Sequence, residues 1–391
     1  MSEDNSITPV PSGKSAKPAK PSPDFPLTAH PAGYWCKKIR GKVHYFGKWD
    51  DPDGALKKYL EQKDALHAGR KPRESSDGVT VKELANAFLN HKQTLVDAGE
   101  LSLLTWADYK RVADELLSHV GKGRVLADLD PDDFASLRTK MSKKWGPFRL
   151  KKSVQYIRSM FKHAYEAGLL DRPMRFGPGF KRPSMKTLRL HRAEQGQKLF
   201  TAAEIHRMLT AAGPALRAMI LLGINCGYGN GDCGTLPLSA VDMERGFIDF
   251  PRPKTGIPRR CALWPETVAA LKEALAKRPE PKLAEHAGLV FITKYGLSWS
   301  KEDSSGPLTQ ETRKLLNRLG IDGHRNFYTL RHTFRTIADE AKDQPAADYI
   351  MGHEVPHMSS IYRERISDER LMAVTDHVRA WLFPPAKGGN K

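Results

Sequence analysis

Between residues 79 and 170 the chain repeats apolar positions every three or four residues in four successive stretches. They are VKELANAFLNH after Thr80, WADYKRVADELLSHV after Thr105, DDFASLRTKM after Pro131, and the run from Phe148 to Ala167. This is the period of helices that bury one face, and four of them predict a compact bundle. Upstream the period changes to two: YWCKKIRGKVHYFGKW alternates in two runs around Arg40-Gly41. That predicts a small hairpin, followed by a helix from about Gly54 to His67. Beyond residue 199, TAAEIHRML opens with Thr201 and Glu204 at capping-box spacing. Helices then alternate with a hairpin made of GFIDF and RRCAL, the helix PETVAALKEALAKR, a strand GLVFI, and helices running to Trp381. The fold class this predicts is α+β, mainly helical.

The punctuation between these patterns sets the expected boundaries. Residues 1–32 are rich in Pro, Ser and Lys with few apolar groups and are expected to form a disordered basic tail. A small module at 33–70, the helical bundle at 79–170, a Pro-, Gly- and Arg-rich linker at 171–198, a larger domain at 199–380 and a tail at 381–391 follow. The polar stretch GRKPRESSDG joins the first two.

Charge narrows the partner. The 391 residues carry 63 Lys and Arg against 45 Asp and Glu, a net +18, and such an excess draws a polyanion. A membrane surface is the competing polyanion, but no apolar run approaches the roughly 20 residues that span a bilayer. The start of the chain has no apolar signal core, so the expected location is the cytoplasm. Cys36, Cys226, Cys233 and Cys261 form no CxxC pair, which argues against a zinc knuckle and fits a reducing compartment. A nucleic acid is thus the expected partner.

Candidate chemistry lies in one stretch, from Tyr328 to Tyr362, where YTLRHTF precedes IMGHEVPHMSSIY. Leu330, Phe334, Ile337 and Ala338 recur around Arg331 at helical spacing, so one face is buried while the guanidinium points into a cleft. Gly352 suits a helix C-cap with His353 just beyond it. Tyr362 follows nine residues later. Arg is a bidentate phosphate ligand, His a donor or proton carrier and Tyr an oxygen nucleophile, a set able to act on a phosphodiester without metal. Taken singly, the three are a helix-surface charge, a capping residue and a packed aromatic; their order and spacing together carry the functional reading.

This order and spacing resembles the C-terminal half of the tyrosine recombinase (phage integrase) catalytic domain. The resemblance covers roughly Thr201 to Val378 by motif, and 79–170 by architecture, as the family's helical core-binding domain. It implies that Tyr362 attacks a scissile phosphate to form a 3′-phosphotyrosyl link while Arg331 and His353 hold the phosphoryl oxygens. Lys254, in the hairpin connection PRPKTGIP, would protonate the departing 5′ oxygen. It also implies double-stranded DNA as the partner, with no metal and no cofactor, assembly as a tetramer on that DNA, and site-specific recombination or integration as the activity.

Two positions depart from the family pattern. In NCGYGNGDCGTLPLSAVD, Gly227 is the family glycine and Asp232 the acidic residue, but Gly229 stands where the first catalytic arginine belongs. Tyr328 stands where a histidine precedes Arg331 by three residues. Tyrosine still donates a hydrogen bond, whereas glycine offers only its backbone N–H. Arg217, Arg259 and Arg260 are candidate substitutes. The alternative is a non-catalytic DNA-binding protein that keeps the clamp of a recombinase.

Two further motifs are decoys. HEVPH, from His353 to His357, has zinc-protease spacing, but Pro356 disrupts the continuous helix that such a site needs. Gly229, Gly231 and Gly234 make a GxGxxG, but Pro237 stops the long helix that a dinucleotide turn must open.

DNA-contacting candidates are cationic. Lys37, Lys38, Arg40 and Lys42 interleave with aromatic residues on the hairpin, as in a β-ribbon that reads DNA, and this module resembles the arm-binding domains of many integrases. A solvated basic hairpin with an aromatic core fits the same residues. Arg149, Lys151, Lys152 and Arg158 fall on or near one side of the last bundle helix, a phosphate-tracking face.

Overall fold

The computed structural model describes residues 17–67, 78–301, 306–353 and 365–384. The chain divides into two compact units, residues 1–81 with 123–129, and residues 82–122 with 130–391.

In the first unit three antiparallel strands run in the order β1 (Thr28–His30), β2 (Tyr34–Ile39), β3 (Lys42–Lys48). Arg40 and Gly41 form the two-residue turn, both with positive φ, the geometry that matches the right-handed twist of a hairpin. Helix α1 (Pro52–His67) lies so close to β3 that a Cβ on Gly47 would come within 2.9 Å of the Ala55 Cβ. The expected tail at 1–32 is corrected here: β1 is paired to β2, and Phe25 and Leu27 are buried with Trp35, Phe46 and Tyr59. Two apolar residues in a Pro-rich stretch suffice once a preformed sheet offers them a surface. Residues 1–16 lie outside the described residues.

In the second unit, α2 (Val81–Asp97), α3 (Leu103–Val120), α4 (Pro131–Lys144) and α5 (Pro147–Glu166) are the four expected helices. Phe88, Val112, Leu116, Phe134, Leu137, Ile157 and Phe161 are buried among them. α3 starts three residues earlier than Thr105 implies, because Ser102 caps it by accepting from Thr105 N. The segment 171–198 is not a plain strap. Phe176 and Phe180 pack on Phe134, Arg158 donates to Phe180 O at 2.9 Å, Arg138 donates to Lys181 O at 2.7 Å, and Ser184 caps helix α6 (Met185–Glu194).

The remaining elements surround one large core. α7 (Ala202–Ala211) opens with the Thr201–Glu204 capping box, and α8 (Pro214–Asn225) is apolar on nearly every side because nearly every side is covered. A single turn, α9 (Asn230–Gly234), leads to a second antiparallel sheet of β4 (Val241–Asp242), β5 (Phe247–Asp249) and β6 (Arg260–Ala262). Helices α10 (Pro265–Ala276), α11 (Pro307–Arg318), α12 (Thr329–Ala338), α13 (Gln344–Met351) and α14 (Asp368–Leu382) complete it. The expected strand GLVFI is only single bridges, Pro237 with Leu289 and Ile292 with Ser298. Buried Asn225 fixes the hairpin against α8, donating to Ala262 O at 2.9 Å and accepting from Trp264 N and Thr267 Oγ1, both at 2.9 Å. No helix among the described residues is long and apolar enough to cross a membrane.

Candidate active site

Arg331 sits in the first turns of α12 and is 2% exposed. The helix buries Leu330, Phe334 and Ile337 and carries the guanidinium inward with them. Its Nη1 donates to Gly227 O at 2.5 Å and its Nη2 to Met351 O at 2.8 Å. These two carbonyls belong to chain ends: Gly227 follows α8, and Met351 closes α13. Gly227 has φ +63, and a Cβ there would meet Phe334 at 3.0 Å, so glycine is required twice over. Gly352 is the left-handed C-cap of α13. Burial, reinforced by the charges of Arg252 and Arg259, lowers the pKa of Arg331.

His353 comes straight off that cap. Its Nε2 lies 2.9 Å from Arg331 Nη2 and its Nδ1 3.3 Å from Asp348 Oδ1. Arginine can only donate, so Nε2 accepts and the ring proton is on Nδ1, directed at Asp348. Asp348 is held from the other side by Arg335 Nη1 at 2.5 Å. Burial and the charge of Arg331 push the His353 pKa down, against the pull of Asp348. At neutral pH His353 is therefore a neutral imidazole with a basic Nε2.

The two departures at 229 and 328 are one feature. A Cβ on Gly229 would lie 3.2 Å from Cδ2 and Cε2 of Tyr328. The Tyr328 ring, 40% exposed at the N-terminus of α12, covers the space that a larger side chain at 229 would enter. Gly229 N donates to Asp232 Oδ2 at 2.6 Å.

The three candidate substitutes separate cleanly. Arg217 donates to Leu209 O and Ala212 O and pairs with Glu273, closing the end of α7. Arg260 pairs with Asp368 and Asp249 over the Phe247 ring. Arg259 turns inward and is 3% exposed. Its Nη2 pairs with Asp232 Oδ1 at 2.8 Å, its Nε donates to Phe250 O at 2.6 Å, and its plane lies 4.0 Å from the Tyr228 ring centroid. Successive residues of a strand face opposite sides, and RRCAL held the signal: Arg259 is in phase with buried Cys261 and Leu263, Arg260 out of phase with them. Arg252, which the sequence did not single out, joins the same cluster, donating to Gly352 O at 3.4 Å.

The other expected site residues are dispersed. Lys254 is exposed at the tip of the β5–β6 connection, in a turn where Thr255 N and Gly256 N bond to Arg252 O. Tyr362 lies outside the described residues, as do Pro356 and His357 of the zinc-like motif; among the described residues no group of His, Cys, Asp and Glu could hold a metal ion. On the first sheet, Lys37 turns toward α1 with its ammonium 4.7 Å from the Tyr59 ring centroid, while Lys38, Arg40 and Lys42 are exposed. On α5, Arg149 and Lys152 share Asp108 at 3.0 and 2.5 Å. Arg158 is taken up by Phe180 O. Lys151, Arg158, Lys181 and Arg182 line a basic cleft of about 490 Å³.

The second unit is thus a helical domain with a small sheet that gathers Arg331, Arg259 and Arg252 in one largely buried cluster, with His353 beside Arg331. Residues 192–368 match the model of the phage integrase family. Among solved structures, the fold is similar to an integrase of the transposon Tn1549 in complex with transposon right-end DNA, with a TM-score of 0.56 and 18% identity over 77% of this chain and 100% of that one. It is also similar to a lambda integrase tetramer bound to a Holliday junction, with a TM-score of 0.52 and 16% identity over 89% of this chain and 98% of that one. Both likenesses are of fold. No curated protein sequence matches the chain.

Proposed function

We propose that this chain cleaves and rejoins double-stranded DNA at a specific site through a phosphotyrosyl intermediate. The observation that carries the reading is Arg331, buried in a phage integrase domain with His353 on one guanidinium nitrogen. A buried cation held only by neutral carbonyls and an imidazole is stabilised further when an anion arrives. The phenolic oxygen of Tyr362 attacks the phosphorus and its proton passes to the His353 imidazole, whose Nε2 is released from Arg331 when the guanidinium turns to the phosphate. The bond from phosphorus to the 5′ oxygen breaks, its electron pair stays on that oxygen, and Lys254 supplies the proton. Arg331 holds the phosphoryl oxygens, with the Tyr328 hydroxyl as a further donor. The DNA complexes of the Tn1549 and lambda integrases support duplex DNA as the partner, and the lambda tetramer supports assembly of four copies on it. The exposed Lys38, Arg40 and Lys42 and the basic cleft beside α5 supply phosphate contacts.

The test is denaturing capture. Protein is incubated with nicked duplexes carrying a randomised core, and detergent-resistant protein–DNA adducts are recovered and sequenced. The expected result is enrichment of one sequence class by the wild type and none by Tyr362→Phe. Tight, salt-sensitive binding with no adduct from the wild type would leave the binding-only alternative in its place.

A further inference from the structure

The geometry points to Arg259, reaching in from the hairpin strand, as the second guanidinium of the phosphate site, in place of the side chain that position 229 lacks. This rests on the strand-cleavage reading of the same pocket.

Three observations carry it. Arg259 is buried, yet its Nη1 has no hydrogen-bond partner among the described residues. A buried N–H left unpaired is costly, the more so on a charged group, unless a partner arrives. The other two nitrogens of Arg259 are fixed by Asp232 and Phe250 O, and the plane is stacked on Tyr228, so the unpaired one is held in place. Finally, Arg259 and Arg331 close on the same few atoms. Asp232, the partner of Arg259, also binds Gly229 N, two residues from the Gly227 carbonyl that Arg331 holds. On the far side, a Cβ on Gly352 would lie 3.3 Å from Arg259 Cδ, next to the Met351 carbonyl that Arg331 also holds.

The lost side chain and its replacement are therefore coupled by space. With the Tyr328 ring against Gly229, a side chain at 229 has to push that ring aside. With Arg259 paired to Asp232, none is needed. Arg259 takes a non-bridging phosphoryl oxygen through Nη1 while Arg331 takes the other, and both bonds strengthen as charge develops on phosphorus.

The experiment uses inorganic phosphate, at constant ionic strength, as the probe on full-length Tyr362→Phe, which cannot form an adduct, with melting temperature as the readout. Phosphate is expected to raise the melting temperature of this parent. Adding Arg259→Lys, which keeps the charge near Asp232 but loses the planar fork, is expected to weaken the apparent phosphate affinity at least tenfold. Should Arg259→Lys not fold, phosphate titration of the parent followed by NMR of the arginine guanidinium resonances replaces it, and an Arg259 signal that does not move overturns the assignment. An unchanged phosphate response in Arg259→Lys, or no response in the parent, overturns the assignment. A phosphate response that depends on Arg259 in a protein whose wild type never forms an adduct overturns strand cleavage and leaves the second guanidinium standing.

Discussion

The two places where this chain gathers positive charge are built in opposite ways. On α5, Arg149 and Lys152 stand at the surface and share one carboxylate, Asp108, with Arg111 as a third partner. In the pocket, Arg331 is fully buried, is held by two backbone carbonyls and a neutral histidine, and lies near Arg252 and Arg259, with Asp232 and Asp348 as the nearby carboxylates. The surface cluster also holds more cation than carboxylate, three cations on Asp108, but solvent screens the excess. The pocket holds more cation than it neutralises, in a place where water cannot screen it. Net charge is uninformative about this difference, since +18 counts both alike. What separates them is burial and the identity of the acceptors.

Removing the pocket's central group is the strongest way to break the comparison. Arg331→Ala deletes a donor aimed at transition-state charge, and the expected fall in covalent capture is on the order of a hundred- to a thousandfold or more. The corresponding surface change, Arg149→Ala, should alter capture by no more than its effect on DNA binding. Equal losses from the two would show that the pocket is not where the chemistry happens. Gly227→Ala should come next. A left-handed φ in a residue with a Cβ costs about 1–3 kcal/mol, and the added carbon presses on Phe334 and Met351. A lowered denaturation midpoint checks it; Gly213, where a Cβ meets nothing within 4 Å, is the control that should tolerate the same change.

Much of this was legible in the sequence for physical reasons, and the failures have physical reasons too. Helical period and caps located α2 to α5, α7, α10 and α12, because a face that must be buried repeats every three or four residues whatever it packs against. The cap at Gly352 was visible for the same local reason. Contacts remote in sequence were not. Phe25 and Leu27 gain their sheet surface from residues that follow them, and Phe176 and Phe180 gain theirs from α4 and α5. The aromatic contacts on both sides of the linker were too sparse to show a period. At the pocket, Arg331 and His353 sit on regular elements, so their placement followed from spacing. Arg259 was named only as one of three candidates, although its phase with Cys261 and Leu263 already turned it inward. That Tyr328 lies on Gly229 joins residues 99 positions apart, and no local rule reaches that far.

pH separates the two regions with smaller effects. His353, His332 and His163 all have pKa values below the ordinary histidine range, each chiefly through burial, with neighbouring positive charges adding to it. Their neutral forms are favoured in the folded state, so the unfolded chain takes up protons first as pH falls. Stability should be full above about pH 7, decline as pH drops through about 6.5, and level off below the folded-state values. Denaturant midpoints between pH 7.5 and 5 check the slope, and His353→Gln should reduce it. A slope that rises toward acid would contradict the pocket's electrostatics. The α5 cluster titrates elsewhere. Burial raises the Asp108 pKa, but Lys152 and Arg149 outweigh it and hold the group below its usual value. Its contribution therefore disappears only as pH falls below about 3.9.

The smallest expected effect sharpens the comparison from the surface side. Asp108→Asn removes the carboxylate that pairs with Arg149 and Lys152 while leaving their head groups over the Trp145 and Tyr156 rings. Exposed ion pairs contribute roughly 0–1 kcal/mol, so stability should change by less than about 1 kcal/mol. The released cations, Arg111 among them, become available to phosphates, and each phosphate newly neutralised adds about −0.9 to the slope of log affinity against log salt. Binding to duplex DNA should therefore tighten at low salt and converge with the wild type as salt rises, while the adduct formed per bound DNA stays the same. A salt slope that does not steepen would mean that this face of α5 does not meet DNA, and that the phosphate contacts belong to Lys151, Lys181 and Arg182 around the neighbouring cleft. A change in adduct per bound complex would mean that the surface cluster and the pocket are coupled, and the division between them drawn from burial would fail.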